Sequence, residues 1–394
     1  MRDPLFRTAL VLGVLSAVGP FAIDMYLPAM PQVARDLATS EARVALTLTA
    51  YFIVFGLAQM IYGPLADAVG RRKPMLIGIA VFLFASIAAT LAPSIGWLIV
   101  ARAFQGLGAA ALMAVPRAVI RDMASGPAAA RMMAAIMIVI SVSPMLAPLT
   151  GSLIMAWGGW REIFAVLAVS ALVSLGMVVF VLPETLRPED RQPVRLDVML
   201  RGARQLLADR RFMGLSMIGG FGMASFFVFL ASASFVYTRQ YGLGPTGFSL
   251  AFAANAIGFV SASQFAPRLA ERSGMERLIS LGVTGFAAAM LMLSGLVWLG
   301  FDSLALIMAG LFLGNACLGL VLPTAMVMSL DPHPDIAGLA SSLGGTLQML
   351  TGGAMIAVTG PFLDNTSASM VPAIGLCAAL AWVAAFLSLP RLRA

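Results

Sequence analysis

Long runs of apolar residues, separated by short polar segments, dominate this chain. About 20 consecutive apolar residues can cross a membrane as an α-helix, because each residue adds about 1.5 Å along the helix axis. Several of the connecting segments carry Pro or Gly, which favour turns. The pattern predicts twelve membrane-spanning helices at residues 6–27, 42–65, 74–93, 97–119, 132–154, 162–182, 212–236, 246–267, 277–299, 302–328, 337–360 and 370–390.

The longest polar stretch, residues 187–211, is rich in Arg, Asp and Pro and divides the chain into six helices and six helices. We therefore predict an all-α membrane protein with two six-helix bundles, residues 1–186 and 212–394, joined by a cytoplasmic linker. The linker is too short for a separate soluble domain, which disfavours a signalling receptor.

The two halves resemble each other in sequence. Residues 63–78 align without gaps on residues 267–282, and both stretches lie between the second and third predicted helix of their half. Repeats on the same membrane side indicate a parallel duplication, and hence two pseudo-symmetric bundles. A second aligned stretch pairs Arg102 with Gly310. Because the second half has lost this charge, we expect the ion chemistry to lie in the first half.

Composition supports a membrane protein. The 394 residues are 60% hydrophobic and 11% charged, whereas an average soluble domain carries roughly 25% charged residues. Membrane topology explains the excess of basic residues, so this excess does not indicate a nucleic-acid partner. Of the 25 Lys and Arg residues, 20 fall in one alternating set of loops, four fall in the other set, and Arg102 lies inside a span. The positive-inside rule then predicts that both termini are cytoplasmic.

Two charged residues lie inside predicted spans at similar depth, Asp24 in the first and Arg102 in the fourth. A charge in the hydrocarbon region costs at least a few kcal/mol, so such residues usually face a cavity and have a function. An apolar protein with one such acid and one such base is typical of a proton-coupled transporter. The alternatives are a purely structural pair and, for Arg102, a side chain that extends to the interface.

Other chemistry is not indicated. The single histidine, His333, lies in a short polar loop, and the cysteines Cys317 and Cys377 both fall inside predicted spans. This pattern predicts neither a metal site nor a disulfide, and we expect no cofactor besides the proton as coupling ion. An integral membrane enzyme would be expected to cluster His, Asp or Glu at one site, so we predict that the protein is not an enzyme.

The sharpest motif is residues 63–73, with the sequence GPLADAVGRRK. Gly63 and Gly70 allow close backbone approach, and Asp67 can pair with Arg71. This stretch, including Arg72, resembles the signature loop of the major facilitator superfamily. That resemblance implies a contact between Asp67 and the start of the eleventh helix, near residues 335–338, which would latch the cytoplasmic side shut. The alternative is an ordinary cytoplasmic turn.

Two further segments resemble motifs of the same superfamily. Residues 102–108 resemble the fourth-helix motif, which implies that Arg102 is a fixed cation in a cavity. Pro144, Pro148 and Gly151 resemble the fifth-helix antiporter motif, which is associated with exporters rather than importers. The match is partial, since Ala147 and residue 152 stand where glycines are common. Two prolines remove helix hydrogen bonds, so this span could bend as a hinge or only as packing relief.

The end of the first span, residues 23–31, resembles that of bacterial drug:proton antiporters of the bicyclomycin and chloramphenicol resistance type. Segments 160–164, 183–186, 232–237 and 337–348 resemble the same group, so the similarity covers nearly the whole chain. By this resemblance Asp24 takes the proton and can contact substrate.

An apolar surface rich in Met and aromatic side chains, with a few polar groups, suits bulky amphipathic molecules. Each residue taken singly could instead serve helix packing or contact lipid. The predicted substrate-cavity residues are Phe21, Tyr26, Tyr51, Phe55, Met113, Phe226, Phe227, Asn255, Asn315, Gln348 and Met349.

We therefore predict a proton-coupled antiporter of the bacterial inner membrane that exports drugs or other small amphipathic molecules by alternating access and contributes to antibiotic resistance. Its expected partners are a small-molecule substrate, protons and the lipid bilayer, and we expect it to act as a monomer. Three alternatives stay open: export of an endogenous metabolite such as an amino acid, peptide or metal chelator, import instead of export, and a membrane receptor or enzyme.

Overall fold

A computed structural model describes residues 4–124 and 126–389, and the regular structure of these residues is entirely helical. The fourteen α-helices of this part of the chain include every predicted span. They are α1 (Pro4–Asp24), α2 (Met30–Asp36), α3 (Glu41–Val69), α4 (Arg72–Thr90), α5 (Ile95–Met123), α6 (Gly126–Trp157), α7 (Trp160–Phe180), α8 (Leu196–Ala208), α9 (Arg210–Arg239), α10 (Pro245–Ser273), α11 (Met275–Trp298), α12 (Leu304–Leu330), α13 (Ala337–Thr359) and α14 (Ser367–Ser388).

Eleven segments of the described residues are long and apolar enough to cross a membrane, and the segment at the N-terminal end joins α1 and α2. Helix α13 has 23 residues, but it is rich in Gly, Ser and Thr and is not among these segments. With α13 as the twelfth span, the architecture is the predicted one of two six-helix bundles.

The first span differs from its prediction. The apolar pattern predicts one helix over residues 6–27, but α1 ends at Asp24, and a short 3-10 turn, Leu27–Ala29, leads into α2. Pro28 explains the break, because it has no N–H to donate to the Asp24 carbonyl and its ring clashes with that oxygen in a regular helix. The linker also differs, since α8 forms a helix of 13 residues within it.

The chain divides into two compact units between Arg195 and Leu196. In the first unit the main helix pairs are α3 with α5, α4 with α5, α1 with α6, and α4 with α7. In the second unit the corresponding pairs recur as α10 with α12, α11 with α12, α9 with α13, and α11 with α14. Much of the packing scheme is therefore used twice, as expected for a parallel duplication, but α9 also packs extensively on α14, whereas the counterpart pair α1 and α7 makes little contact.

Repeat-related glycines occupy equivalent places in the two units. Gly70 ends α3 with a φ of +95°, and its counterpart Gly274 ends α10 with a φ of +84°. Only glycine adopts such angles without strain, so both loops depend on it. Gly78 and Gly282 are paired in the same alignment, and a Cβ at either would overlap the neighbouring helix, α5 or α12. Both units thus use a small residue for close helix contact.

Candidate functional site

Asp24 is the last residue of α1 and lies directly before the break in the first span. Its side chain is 4% exposed. Beyond it the chain continues through turn-type hydrogen bonds, such as Tyr26 N–H to the Ile23 carbonyl at 3.3 Å. Discontinuous spans are common at binding sites of transporters, because the unwound backbone and helix ends present polar groups inside the membrane. The sequence therefore places a carboxyl group at such a break.

Arg102 on α5 is completely buried and points to the same end of α1. Its Nη1 donates hydrogen bonds to the Ala22 carbonyl and to Gln105 Oε1, both at 2.9 Å. Gln105 in turn donates to Ser86 Oγ on α4 at 2.8 Å. The C-terminus of a helix carries partial negative charge, so a cation at the Ala22 carbonyl is favourably placed. Arg102 thus caps α1 and is held in position by α4 and α5.

Three aromatic rings surround the Arg102 guanidinium. Its Cζ lies 4.6 Å from the ring centre of Tyr51, 5.0 Å from that of Tyr26 and 5.8 Å from that of Phe164. Cation–π contacts of a desolvated cation contribute about 2 kcal/mol or more. The Tyr26 hydroxyl accepts from Thr47 at 3.2 Å, and the Tyr51 hydroxyl donates to the Gly19 carbonyl at 3.2 Å. Phe164 on α7 was not predicted as a member of this site.

Asp24 and Arg102 both lie at the end of α1, since Arg102 contacts the carbonyl of Ala22, but they form no ion pair with each other in this structure. No ion pair of the described residues joins Asp24 to Arg102. No described group accepts a hydrogen bond from Arg102 Nε or Nη2. The region therefore contains a buried carboxyl group at the end of α1 and, at the carbonyl two residues before it, a buried cation with two unused donors.

The predicted antiporter segment packs against the break. Helix α6 contains Pro144 and Pro148 and is continuous over Gly126–Trp157. A Cβ at Gly151 would overlap the Met25 carbonyl oxygen, so only glycine lets α6 approach the chain directly after Asp24. This contact gives Gly151 a physical role at the site, since the backbone of the break rests on it.

The predicted gate motif forms an ion-pair network at one end of the first unit. Arg71 is 3% exposed and pairs with Asp67, and its Nε donates to Asp122 Oδ2 at 2.7 Å. Burial alone would lower the pKa of Arg71, but hydrogen bonds to Asp122 and Asp67 outweigh it and hold this pKa above its usual value. Arg72 donates to the carbonyls of Val178, at 3.1 Å, and Val179 at the end of α7.

Glu184 completes this network. Its carboxylate accepts hydrogen bonds from four backbone N–H groups, two of them those of Arg71 and Arg72 at the start of α4, at 2.9 and 3.1 Å. Burial alone would raise the pKa of Glu184, but these N–H donors lower it overall. Sequence reasoning assigned no role to Glu184 or Asp122, because they lie far along the chain from Arg71. The predicted close approach at Gly63, the remaining motif glycine, is wrong, because no described atom of a neighbouring segment lies within 4 Å of its Cβ position.

The predicted cavity residues fall into a group in each unit. In the first unit Tyr26 and Tyr51 line the Arg102 site, and the Phe55 ring stacks on Tyr51 with 5.9 Å between centres. In the second unit the rings of Phe226 and Phe227 lie 6.3 Å apart.

Asn255 is 2% exposed and donates to the Ala251 carbonyl at 3.2 Å. Gln348 lies beside Gly219 on α9. The remaining four predicted residues are half-buried: Phe21, Met113, Asn315 and Met349.

Comparison with known proteins agrees with this architecture. The sequence pattern of the Major Facilitator Superfamily matches residues 12–357. An uncharacterized MFS-type transporter of Bacillus subtilis, YdgK, is 33% identical, with 98% of this chain and 96% of that protein covered. A bicyclomycin resistance protein homolog of Haemophilus influenzae is 30% identical, with coverage of 96% and 95%.

The fold is also that of solved transporters. The human organic anion transporter MFSD10 superposes with a TM-score of 0.73 at 17% identity, over 98% of this chain and 100% of that chain. At this identity the likeness concerns the fold alone. The relatives and structural neighbours are membrane transporters rather than enzymes. Taken with the matched sequence pattern, they establish that this chain is a multi-pass membrane transporter and belongs to the major facilitator superfamily.

Proposed function

We propose that this protein exports drugs or other small amphipathic molecules across the bacterial inner membrane in exchange for protons. The observation that carries the proposal is the buried Asp24 at a broken span, with the buried Arg102 and its unused donors at the Ala22 carbonyl two residues earlier. The names of the relatives support the substrate class, because they include a bicyclomycin resistance protein homolog and a multidrug resistance protein. Both termini lie in the cytoplasm in this proposal, and the monomer is the working unit.

Protonation of Asp24 is the proposed coupling step. An ionised carboxyl group without an ion-pair partner is costly in an apolar environment, so the protonated form fits the arrangement described above. When Asp24 loses its proton, its carboxylate can accept from Arg102 Nε and Nη2. That attraction would pull the end of α1 toward α5, so the protonation state of Asp24 biases the conformation of the first span.

Transport then follows from alternating access of the two halves. In the outward-open state Asp24 takes a periplasmic proton, which weakens substrate binding and favours return. In the inward-open state cytoplasmic substrate binds as the proton leaves. The inward proton gradient supplies about 2.3 kcal/mol per charge per 100 mV, and about 1.4 kcal/mol per pH unit. Aromatic residues such as Tyr51 and Phe55 offer the apolar contact surface that bulky substrates need.

The test is substrate-induced proton movement in proteoliposomes, with a panel of phenicols, bicyclomycin-like compounds and lipophilic cations. Wild type should release protons on substrate addition, and Asp24→Asn should not. Asp36→Asn is the matched control, because Asp36 is an exposed acid at the outer end of the same span. Its carboxylate accepts from Trp160 Nε1 at 3.0 Å, which an asparagine oxygen can also do.

Three results would count against the proposal. Full proton-coupled export by Asp24→Asn would remove Asp24 from the coupling role. Uptake instead of export in vesicles of known orientation would make the protein an importer. A folded protein that responds to no compound of the panel would refute the drug substrate class and favour export of an endogenous metabolite.

A further inference from the structure

Helix α8 is tied to the point where a membrane span begins. Only Asp209 separates its last residue, Ala208, from the first residue of α9, which is long and apolar enough to cross a membrane. The Asp209 carboxylate accepts from Arg211 N–H at 2.7 Å and so caps α9. Because this tether is one residue long, the end of α8 must lie at the membrane surface.

Most apolar residues of α8 form two neighbouring stripes, and the exposed Val198 lies outside both. Gly202 and Leu206 are buried, and Gly202 lies against Leu339 of α13. Leu196, Leu200 and Leu207 lie on the adjacent side and are 65%, 70% and 49% exposed. We call these three residues the leucine stripe. The buried stripe explains how α8 is held to the second unit, but the leucine stripe faces outward from it.

Basic side chains accompany the leucine stripe. Arg204 is exposed and follows Leu200 by four residues, which places it on the same side of the helix, next to the leucines. From the start of α8 to the start of α9, residues 196–211 contain four arginines and two acidic residues, so two positive charges remain in excess. An apolar stripe beside basic residues is the pattern of a helix that lies in the membrane interface.

We infer that α8 lies in the lipid headgroup region, with the leucine stripe inserted at the acyl boundary and Arg204 bound to the phosphates of anionic lipids. The occupant of the stripe is the bilayer because the stripe is continuous with the membrane surface that α9 enters. The excess positive charge selects anionic lipid, because basic residues beside a membrane are attracted to its negative surface. This inference does not depend on the transported substrate or on proton coupling.

Spin-label accessibility in the full-length protein tests the placement. Cys317 and Cys377 are replaced by alanine, and one label is introduced by Leu200→Cys or Leu207→Cys. Arg201→Cys and Gln205→Cys are matched controls on the polar side of the same helix, where both native side chains are exposed. In liposomes, labels at 200 and 207 should be reached by oxygen more than by a water-soluble nickel chelate, and labels at 201 and 205 should show the reverse.

A change of lipid charge tests the proposed binding of Arg204 to anionic lipids. Vesicles of phosphatidylcholine alone are compared with vesicles that contain one-third phosphatidylglycerol. The label at 200 should lie deeper in the anionic vesicles, and Arg204→Gln should remove this difference. Equal depth in both vesicles would overturn the role of anionic lipid. A label at 200 that the nickel chelate reaches freely would overturn membrane insertion, and an immobile label that neither reagent reaches would indicate a protein partner instead.

Discussion

The two loop glycines allow a sharp test of how the gate motif is anchored. Gly70 has φ +95° and ψ 166°, and Gly274 has φ +84° and ψ 145°. A Cβ at Gly70 would overlap the Glu184 carboxylate, whereas a Cβ at Gly274 would meet no atom within 4 Å. Gly70→Ala and Gly274→Ala therefore impose a similar backbone strain, but only the first displaces Glu184.

The expected difference follows from these contacts. Backbone strain of this kind costs about 1–3 kcal/mol in either variant. Displacement of Glu184 loses its hydrogen bonds to four backbone N–H groups, including those that start α4. Because Glu184 is exposed and water replaces part of this loss, we expect about 1–2 kcal/mol for it. For a unit of this size, Gly70→Ala should then lower the Tm by about 2–8 °C more than Gly274→Ala.

The Tm can be followed in detergent with a thiol-reactive dye in variants that carry Cys317→Ala, because Cys317 is half-buried whereas Cys377 is buried and reacts only when the protein unfolds. The same glycine variants in a Glu184→Ala background complete a double-mutant cycle, which isolates the interaction between residue 70 and Glu184. In that background Gly70→Ala should cost no more than Gly274→Ala. Equal losses of the two glycine variants in the wild-type background would refute the assignment of Glu184 as the anchor of α4.

Three further predictions concern single side chains. Gly151→Ala should lower the free energy of unfolding by about 1–3 kcal/mol and impair transport, because its Cβ would overlap the Met25 carbonyl. The control Gly176→Ala, which lies in open space within a helix, should instead raise the free energy of unfolding by about 0.5–1 kcal/mol. Unfolding curves and transport assays of both variants test this, and equal behaviour of the two would contradict it. Arg102→Lys should fold but transport at least about tenfold more slowly, because lysine keeps the charge but not the planar donor group that stacks on the rings. Transport at the wild-type rate in proteoliposomes would exclude a role of the guanidinium group in transport. Asp209→Ala should lower the free energy of unfolding by about 1 kcal/mol at neutral pH, because it removes the cap of α9 and the 2.7 Å contact between Asp209 Oδ2 and His333 Nε2. Burial would raise the pKa of Asp209, but hydrogen bonds from Arg211, His333 and Phe212 hold it below its usual 3.8, so the advantage of wild type should vanish as the pH falls below that value. A difference that persists in acid unfolding curves would argue against the carboxylate.

Much of the fold could be predicted from the sequence, because long apolar runs have few structural solutions in a membrane. The break after Asp24 was missed for a definite reason. Met25, Tyr26 and Leu27 continue the apolar run, so hydropathy reports no interruption. The signal was the spacing of Pro28, four residues after Asp24, because a proline removes the helix hydrogen bond to the carbonyl four residues before it.

The candidate site could be predicted in part. Motif spacing identified Arg71 and Asp67, which are one helical turn apart and do pair. It assigned no role to Glu184 or Asp122, because a partner more than 50 residues away becomes visible only when the helices are packed. Helix α8 was hidden for another reason, since its alternation of Leu and Arg within a polar linker has too little net hydrophobicity for a membrane span.

The asymmetry between the halves is built into their packing. The first span is broken at Asp24, whereas its counterpart α9 is continuous over Arg210–Arg239. Arg102 corresponds to Gly310 in the repeat, and a Cβ at Gly310 would overlap the Leu293 side chain. When the ungapped alignment of residues 63–78 with 267–282 is continued along the third spans, it pairs Leu293 with Ala89, a small buried residue. The aligned positions therefore hold Arg102 and the small Ala89 in the first unit, and Gly310 and the large Leu293 in the second. An arginine at 310 would have to displace the Leu293 side chain, so the packing of the second unit disfavours a charge at this position.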